Sequence, residues 1–358
     1  MGEMKIYKIQ TKLQGDLTQL PDSQKIFGAL IYLYADQYGS ETATRLVKDI
    51  KDKKMVFEVS NMLPFGYFPL PESYLSSCIQ KKSALKNKEE KQHGTSKNKS
   101  AKEIYQSMKK RQYVPERSIK YDLVKNPAAI KACCDYISLS TNPQLRTAID
   151  SRAYDLPGLD STLYSIPRLT VWQMKGNKKN KSVTDFCFYL KFEEDSNVKN
   201  LYQTLIDIKK SQFPLFLGPR ASQGMNTFTI QNILEEKIEI QSSRYLNLGM
   251  LLLKHFESDK PEKQTNLIQE KSAMHLKSLD FSKSYFSLFT SERRPYHIAE
   301  GWSTSVKKQF ISFIQAGSII YTDHPKQLGC SIQSPFDPDA IVFGNSFLYP
   351  LKEEDFLE

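Results

Sequence analysis

Two segments with helical apolar spacing, each bracketed by strand-like runs, limit what this chain can fold into. Over residues 22–38, Asp22-Ser23 supplies a helix start after Pro21, and Ile26, Phe27, Leu30, Ile31 and Tyr34 recur at helical intervals up to Gly39. Ser196–Gln212 repeats the pattern with Val198, Leu201, Leu205, Ile206 and Ile208. Met4–Leu13 alternates apolar and polar residues as a strand does, and Lys54–Val59 follows the first helix as a short strand. Tyr164–Lys175 and Ser182–Phe192 look like paired strands around a GNKKNK turn. Phe213–Leu217 and Thr227–Ile233 then flank the loop GPRASQGMN. Strand–helix–strand twice over is the split βαβ pattern shared by many RNA-binding modules. The expectation is an α+β chain with one ferredoxin-like (RRM-like, βαββαβ) domain over residues 1–237 and a second over 238–358. In the second, Tyr245–Leu253 and Ser318–Thr322 read as strands and Ser303–Gln315 as a helix.

The length of 358 residues suits two domains at ~100–200 residues each. With 40% hydrophobic and 11% aromatic residues there is material for real cores. The longest apolar runs, such as Ile26–Tyr34, fall short of the ~18 residues a membrane span needs. The start, MGEMKIYKIQ, places Glu3 and two lysines where a secretory signal needs an apolar core. Five cysteines (78, 133, 134, 187 and 330) show no CxxC spacing, so they read as reduced thiols of a cytoplasmic protein rather than metal ligands.

Lys+Arg number 50 against 40 Asp+Glu, a net charge of +10. Between Lys81 and Arg111 there are eleven Lys/Arg and three Glu, so eight of the ten surplus charges sit there. That stretch, about 79–112, reads as a basic mobile loop: a solvated linker, or a set of lysines that neutralises phosphates without regard to sequence. Before it, the prolines of NMLPFGYFPLPES forbid helix and leave aromatics on an extended segment.

Four groups of residues are candidates for a nucleic-acid site. In the loop 218–226, Gly218 and Gly224 allow tight backbone, and Arg220, Ser222, Gln223 and Asn226 supply donors. The loop is either an ordinary hairpin connection or a phosphate cradle. Over 143–169, Arg146, Arg152 and Arg168 interleave with Tyr154 and Tyr164, placing phosphate partners beside stacking faces. Ser23, Gln24 and Lys25 stand at a helix N-terminus, where capping or phosphate binding suits them equally. Arg293 and Arg294, followed by Trp302, suit an RNA groove or a protein contact. Of five histidines, none forms an HxxxH or HExxH pair, and no GxSxG or GxxxxGK[ST] motif is present. The sequence therefore offers no catalytic constellation, cofactor site or metal site.

Four segments, in order, resemble the RAMP superfamily of CRISPR effector proteins. LPDSQKIFGALIYLYADQYG is similar to the family's opening strand–turn–helix. FGYFPLPES with the later KKRQYVPE is similar to its Phe/Pro-rich segment and following basic step. RTAIDSRAYDLPGLDSTLYSIPRLTVW resembles the thumb hairpin, and LGPRASQGMNTFTI stands where the family has its glycine-rich loop. The likeness is greatest to the large RAMP subunit of type III-A (Csm) complexes that holds the 5′ end of the guide RNA. That resemblance implies a non-catalytic, cytoplasmic prokaryotic protein that caps the repeat-derived 5′ end of the crRNA. It implies a thumb, about 143–169, wedged between guide and target RNA. It also implies two protein partners, the large polymerase/cyclase subunit and the backbone RAMP subunit. Two other readings stay open: an endoribonuclease of the same fold using His255 or His297, and the type III-B counterpart of the same subunit.

Overall fold

The structure, a computed structural model, describes residues 4–79, 101–148, 162–193, 196–238, 242–253, 279–293, 309–335 and 340–352. Strand β1 (Met4–Leu13) enters an antiparallel sheet with β2 (Phe57–Val59), β3 (Leu63–Pro64), β9 (Asp185–Glu193), β10 (Leu215–Phe216) and β11 (Thr227–Glu235). The order is β10-β11-β1-β9-β2, with β3 also on β9. Helix α1 (Ser23–Tyr38) links β1 towards β2, and helix α6 (Ser196–Ser211) links β9 towards β10 and β11. In the sheet β1 and β2 are separated by β9, and β9 and β11 by β1.

Strand β9 explains why this sheet sits at the centre of the molecule. Its sequence DFCFYLKFE is apolar and buried without a break from Phe186 to Leu190, as the middle of a strand covered on both faces must be. Phe186, Phe188, Leu190 and Phe192 point into one cluster with Ile26, Phe27, Leu30 and Tyr34 of α1 and Leu201 and Leu205 of α6. Cys187 and Tyr189 point the other way, into a second cluster with Phe68, Val114, Tyr136, Leu246, Phe347 and Tyr349. At ~1.5–3 kcal/mol for each fully buried large side chain, both faces contribute to holding β9 in place. Helix α1 begins with the Asp22 carboxylate accepting from the Lys25 backbone N–H at 2.9 Å and ends at Gly39, whose φ of +86° suits glycine. An amphipathic helix not read from the sequence, α2 (Ser40–Lys51), follows directly and buries Ala43, Leu46 and Ile50.

A second sheet of five strands runs β4 (Tyr67–Pro69), β5 (Tyr113–Pro115), β6 (Asp135–Ala148), β7 (Thr162–Lys175), β8 (Lys178–Ser182). Its main feature is the long hairpin β6–β7, paired without a register shift from Asp135↔Lys175 to Ala148↔Thr162. Two expectations are corrected here. The GNKKNK segment is not a turn between Tyr164–Lys175 and Ser182–Phe192; its lysines form β8, which folds back on β7. The strand at 185–193 joins the first sheet instead, because its apolar face matches α1 and α6. A helix occupies residues 72–79 (α3); within the basic loop placed at 79–112, Ala101–Lys109 is helical (α4), and 80–100 lie outside the described residues. Leu123–Lys125 is a short further helix, α5.

Beyond residue 242, β12 (Arg244–Asn247) pairs with β15 (Ile319–Tyr321) and β18 (Leu348–Pro350) in a three-stranded sheet. β13 (Leu288–Arg293) pairs with β14 (Gln309–Ile314), and β16 (Ile332–Gln333) with β17 (Ile341–Val342). The helix expected over Ser303–Gln315 is therefore corrected for residues 309–314, which are strand; 303–308 lie outside the described residues. Leu246, Leu248, Phe347 and Tyr349 share one apolar cluster with Phe68, Tyr74 and Tyr189, so the two parts of the chain are joined by a common core. No helix among the described residues is long and apolar enough to cross a membrane.

Candidate nucleic-acid interface

Three segments far apart in sequence meet where β1 ends and β11 begins: the β1–α1 connection, the hairpin β6–β7, and the loop before β11. The connection and the hairpin are joined by backbone, the Leu169 N–H donating to the Leu17 carbonyl at 2.7 Å. The connection and the loop are joined by Asn226, whose N–H donates to the Asp16 carbonyl at 2.8 Å. Asn226 itself is buried. Its amide oxygen accepts from the Thr18 N–H, and its Nδ2 donates to Thr18 Oγ1 and the Pro219 carbonyl, both at 2.8 Å. This residue, read from the sequence as a ligand donor, braces the loop from within.

The loop glycines have internal reasons to be glycine. A Cβ on Gly218 would lie 2.9 Å from the Asn226 side chain, and a Cβ on Gly15 would lie 2.0 Å from the Gly224 carbonyl oxygen. Gly224 itself adopts φ +74°, and a short 3₁₀ turn occupies Ala221–Gln223. The N–H groups of Gln223, Gly224, Met225 and Asn226 donate to the carbonyls of Arg220, Ala221, Arg220 and Asp16 respectively. Those four donors serve the fold, and charged and aromatic side chains stand around the loop.

Those side chains come from all three segments. Cross-strand register sets Arg146 opposite Tyr164 and Asn142 opposite Arg168, so by alternation all four share one face of the hairpin. The Arg220 guanidinium lies 5.4 Å from the centre of the Tyr164 ring. Arg146 donates to Gln223 Oε1 at 3.2 Å and Gln144 Oε1 at 3.3 Å, neutral partners that leave its charge uncompensated. Arg168 pairs with Asp16 at 2.7 Å, with both side chains about half exposed. An exposed pair of this kind is worth little and yields readily to a stronger anion. The result is Arg220 over the Tyr164 ring with Arg146 opposite it, and the Arg168–Asp16 pair four residues along the same face of β7, with Ser222 and Gln223 exposed at the rim.

The other residues named from the sequence divide clearly. Ser23 is buried: its Oγ accepts from the Met250 N–H at 3.0 Å, and its N–H donates to Asn61 Oδ1 at 2.8 Å. Lys25 pairs with Asp22, and Gln24 stands beside it, so this helix start is occupied by capping and by contact with the C-terminal part of the chain. Arg293 ends β13 opposite Gln309. Arg152, Tyr154 and Arg294 lie outside the described residues, as do His255 and His297. Sequence reasoning missed Asp16, Leu17 and Thr18, whose only signal is the glycine at position 15. No cluster of three or more metal-ligating side chains occurs among the described residues.

No family model matches the sequence, and no characterised protein matches it by sequence. Solved structures do match. A chain of the Csm3–Csm4 subcomplex of the type III-A CRISPR-Cas interference complex superposes with a TM-score of 0.54 at 16% identity, over 98% of this chain and 100% of that one. The chain folds like a subunit of a type III-A CRISPR effector complex. A chain of the Csm1–Csm4 cassette in complex with cA4 matches at TM-score 0.47 and 13% identity, covering 99% of this chain and 100% of that chain. A chain of the type III-B Cmr-beta complex bound to cognate target RNA matches at 0.36 and 14%, covering 89% and 86%. The fold of the type III-A subunit accounts for the antiparallel sheets described above, and that likeness rests on the Csm3–Csm4 chain.

Proposed function

We propose that this chain is a non-catalytic RNA-holding subunit of a type III-A CRISPR interference complex that caps the repeat-derived 5′ end of the crRNA. The observation that carries the reading is the convergence of Arg146, Tyr164 and Arg168 of the hairpin with Arg220 of the loop before β11 on one partly exposed site. Guanidinium groups recognise phosphates with paired donors, and a tyrosine face accepts a base without reading its identity. A site of that composition suits single-stranded RNA held by shape, phosphate and stacking. The hairpin β6–β7 is the thumb in this reading, set between guide and target. The likeness to the Csm3–Csm4 chain supports a backbone RAMP subunit as one partner; the sequence resemblance adds the large polymerase/cyclase subunit as the other. The reading also takes both halves of the chain as ferredoxin-like, supported in the first half by the strand order β11-β1-β9-β2.

The test is binding of the full chain to single-stranded RNA bearing the repeat-derived 5′ segment, measured across a salt series. Log affinity should fall with log salt by about 0.7 for each phosphate contact. Replacing Arg146, Arg168 and Arg220 together by Ala should flatten that slope by about 2. The RNA should emerge uncut. A flat salt response in the unaltered chain, or a defined cleavage product, would overturn the proposal.

A further inference from the structure

The lysine-rich segment after β7 plays no part in the site above. Between Trp172 and Thr184 there are four lysines, 175, 178, 179 and 181, and no acidic residue. All four are exposed, and none makes an ion pair with a described residue. Three of them lie on β8, the outer strand of its sheet. Trp172 is half-buried, packs into none of the apolar clusters, and has Lys179 Nζ 4.6 Å from its ring centre.

Trp172 and Lys179, which stands opposite Met174 on the same face, continue the site already described, whereas Lys175, Lys178 and Lys181 fall on the other face. Tyr164, Arg168 and Trp172 fall on one face of β7 by the period-two alternation of a strand, four residues apart, with no register shift between them. At ~3.4 Å per residue they span about 27 Å. Each end of that row repeats one unit, an aromatic ring under a cation: Tyr164 under Arg220, and Trp172 under Lys179. Lysines on an outer strand also discourage edge-to-edge pairing, and that role would account for β8 alone. It does not account for a tryptophan kept out of the core on the face that carries the arginines. An acidic protein segment would use the charges and leave the rings idle, whereas a single RNA strand uses both.

We infer that β8 and Trp172 form a second single-stranded RNA contact, so that RNA held at the Arg220–Tyr164 site runs along the β7 face and stacks a base on Trp172. The inference rests on the proposed RNA-holding function, and the experiment separates the two. Affinity of the full chain for an unstructured, uridine-rich single-stranded RNA is measured against salt for the unaltered chain, for Trp172→Phe and Trp172→Ala, and for a chain with Lys178, Lys179 and Lys181 all changed to Gln. Trp172→Ala should weaken binding about tenfold, and Trp172→Phe, which keeps a stacking face, far less. The lysine variant, altered only at exposed positions, should lose about 0.7 from the salt slope, the share of Lys179, which alone of the three stands on the face of Trp172, while keeping the unaltered chain's thermal unfolding midpoint. If the unaltered chain binds with a salt-dependent affinity and neither variant changes it, the β8 contact is overturned and the function stands. If polyglutamate displaces the RNA at matched charge and Trp172→Ala has no effect, the surface serves an acidic protein and the inference is again overturned. If the unaltered chain binds no RNA at all, the function fails and the inference falls with it.

Discussion

At Arg220 the backbone adopts φ +64°, the left-handed region that a side chain other than glycine occupies at a cost of order 1–3 kcal/mol. A residue kept there against that cost, with its guanidinium over Tyr164, is held for its side chain. Arg220→Gly should therefore match or exceed the unaltered chain in urea-unfolding stability while losing RNA affinity as fully as Arg220→Ala. A glycine variant that unfolds more easily would show that the position is not strained. The sequence made Arg220, Gln223, Arg146 and Arg168 legible because charged residues beside glycine and tyrosine are visible in one dimension. Direction was not legible. Asn226 and Ser23 are polar and sit in the right segments, yet both face inward, towards Thr18 and Met250, partners more than 200 positions away. Asp16 was missed for the same reason: its partner Arg168 is 152 positions distant.

Among the elements, the helices were readable because one buried stripe imposes a period, as in α1, whose expected bounds agree with those observed to within a residue or so. Strands exposed on both faces carry no such signal. β8, with every residue exposed, looked like a turn, and β14, with Phe310 outward and Phe313 buried, carried apolar residues at intervals that a helix also allows. The contact that fastens the elements was also invisible in one dimension. Lys8 of β1 is buried and pairs with Glu116 after β5 at 2.5 Å, Lys120 pairs with the same carboxylate at 3.3 Å, and the Tyr189 hydroxyl of β9 donates to it at 3.1 Å. Lys120 lies over the rings of Phe68 and Tyr349, tying β4 and β18 to the same point. Burial alone would push the Glu116 carboxyl up, but Lys8 and Lys120 outweigh it and hold it below the ordinary value of 4.5. A lowered value means stability that is present above pH 4.5 and lost as pH falls through the folded-state value. Glu116→Gln should cost about 3–5 kcal/mol near neutral pH, because Lys8 is left buried without its counter-charge. It should also remove this carboxylate's share of the acid-induced loss. Urea unfolding of both chains at neutral and acid pH measures the two effects together, and a variant with unchanged neutral stability would contradict the account.

For the whole molecule, the account joins a fold like that of a type III-A effector subunit to a cationic, aromatic site built where the β1–α1 connection, the β6–β7 hairpin and the loop before β11 meet. The central sheet is covered on both faces, by α1 and α6 on one side and by the cluster containing Phe68, Tyr136 and Phe347 on the other. Neither face is open to RNA, so binding falls to the strand ends where β1 stops and β11 starts and to the hairpin, where the arginines are. The measurement that tests this most directly is affinity purification of the tagged chain from its native host, with sequencing of both ends of the RNA that accompanies it. The account predicts a uniform, repeat-derived 5′ end, together with co-purifying backbone and large subunits. It also predicts loss of that RNA when Arg146, Arg168 and Arg220 are replaced by Ala. A heterogeneous RNA population with no defined 5′ end and no partner subunits would contradict it.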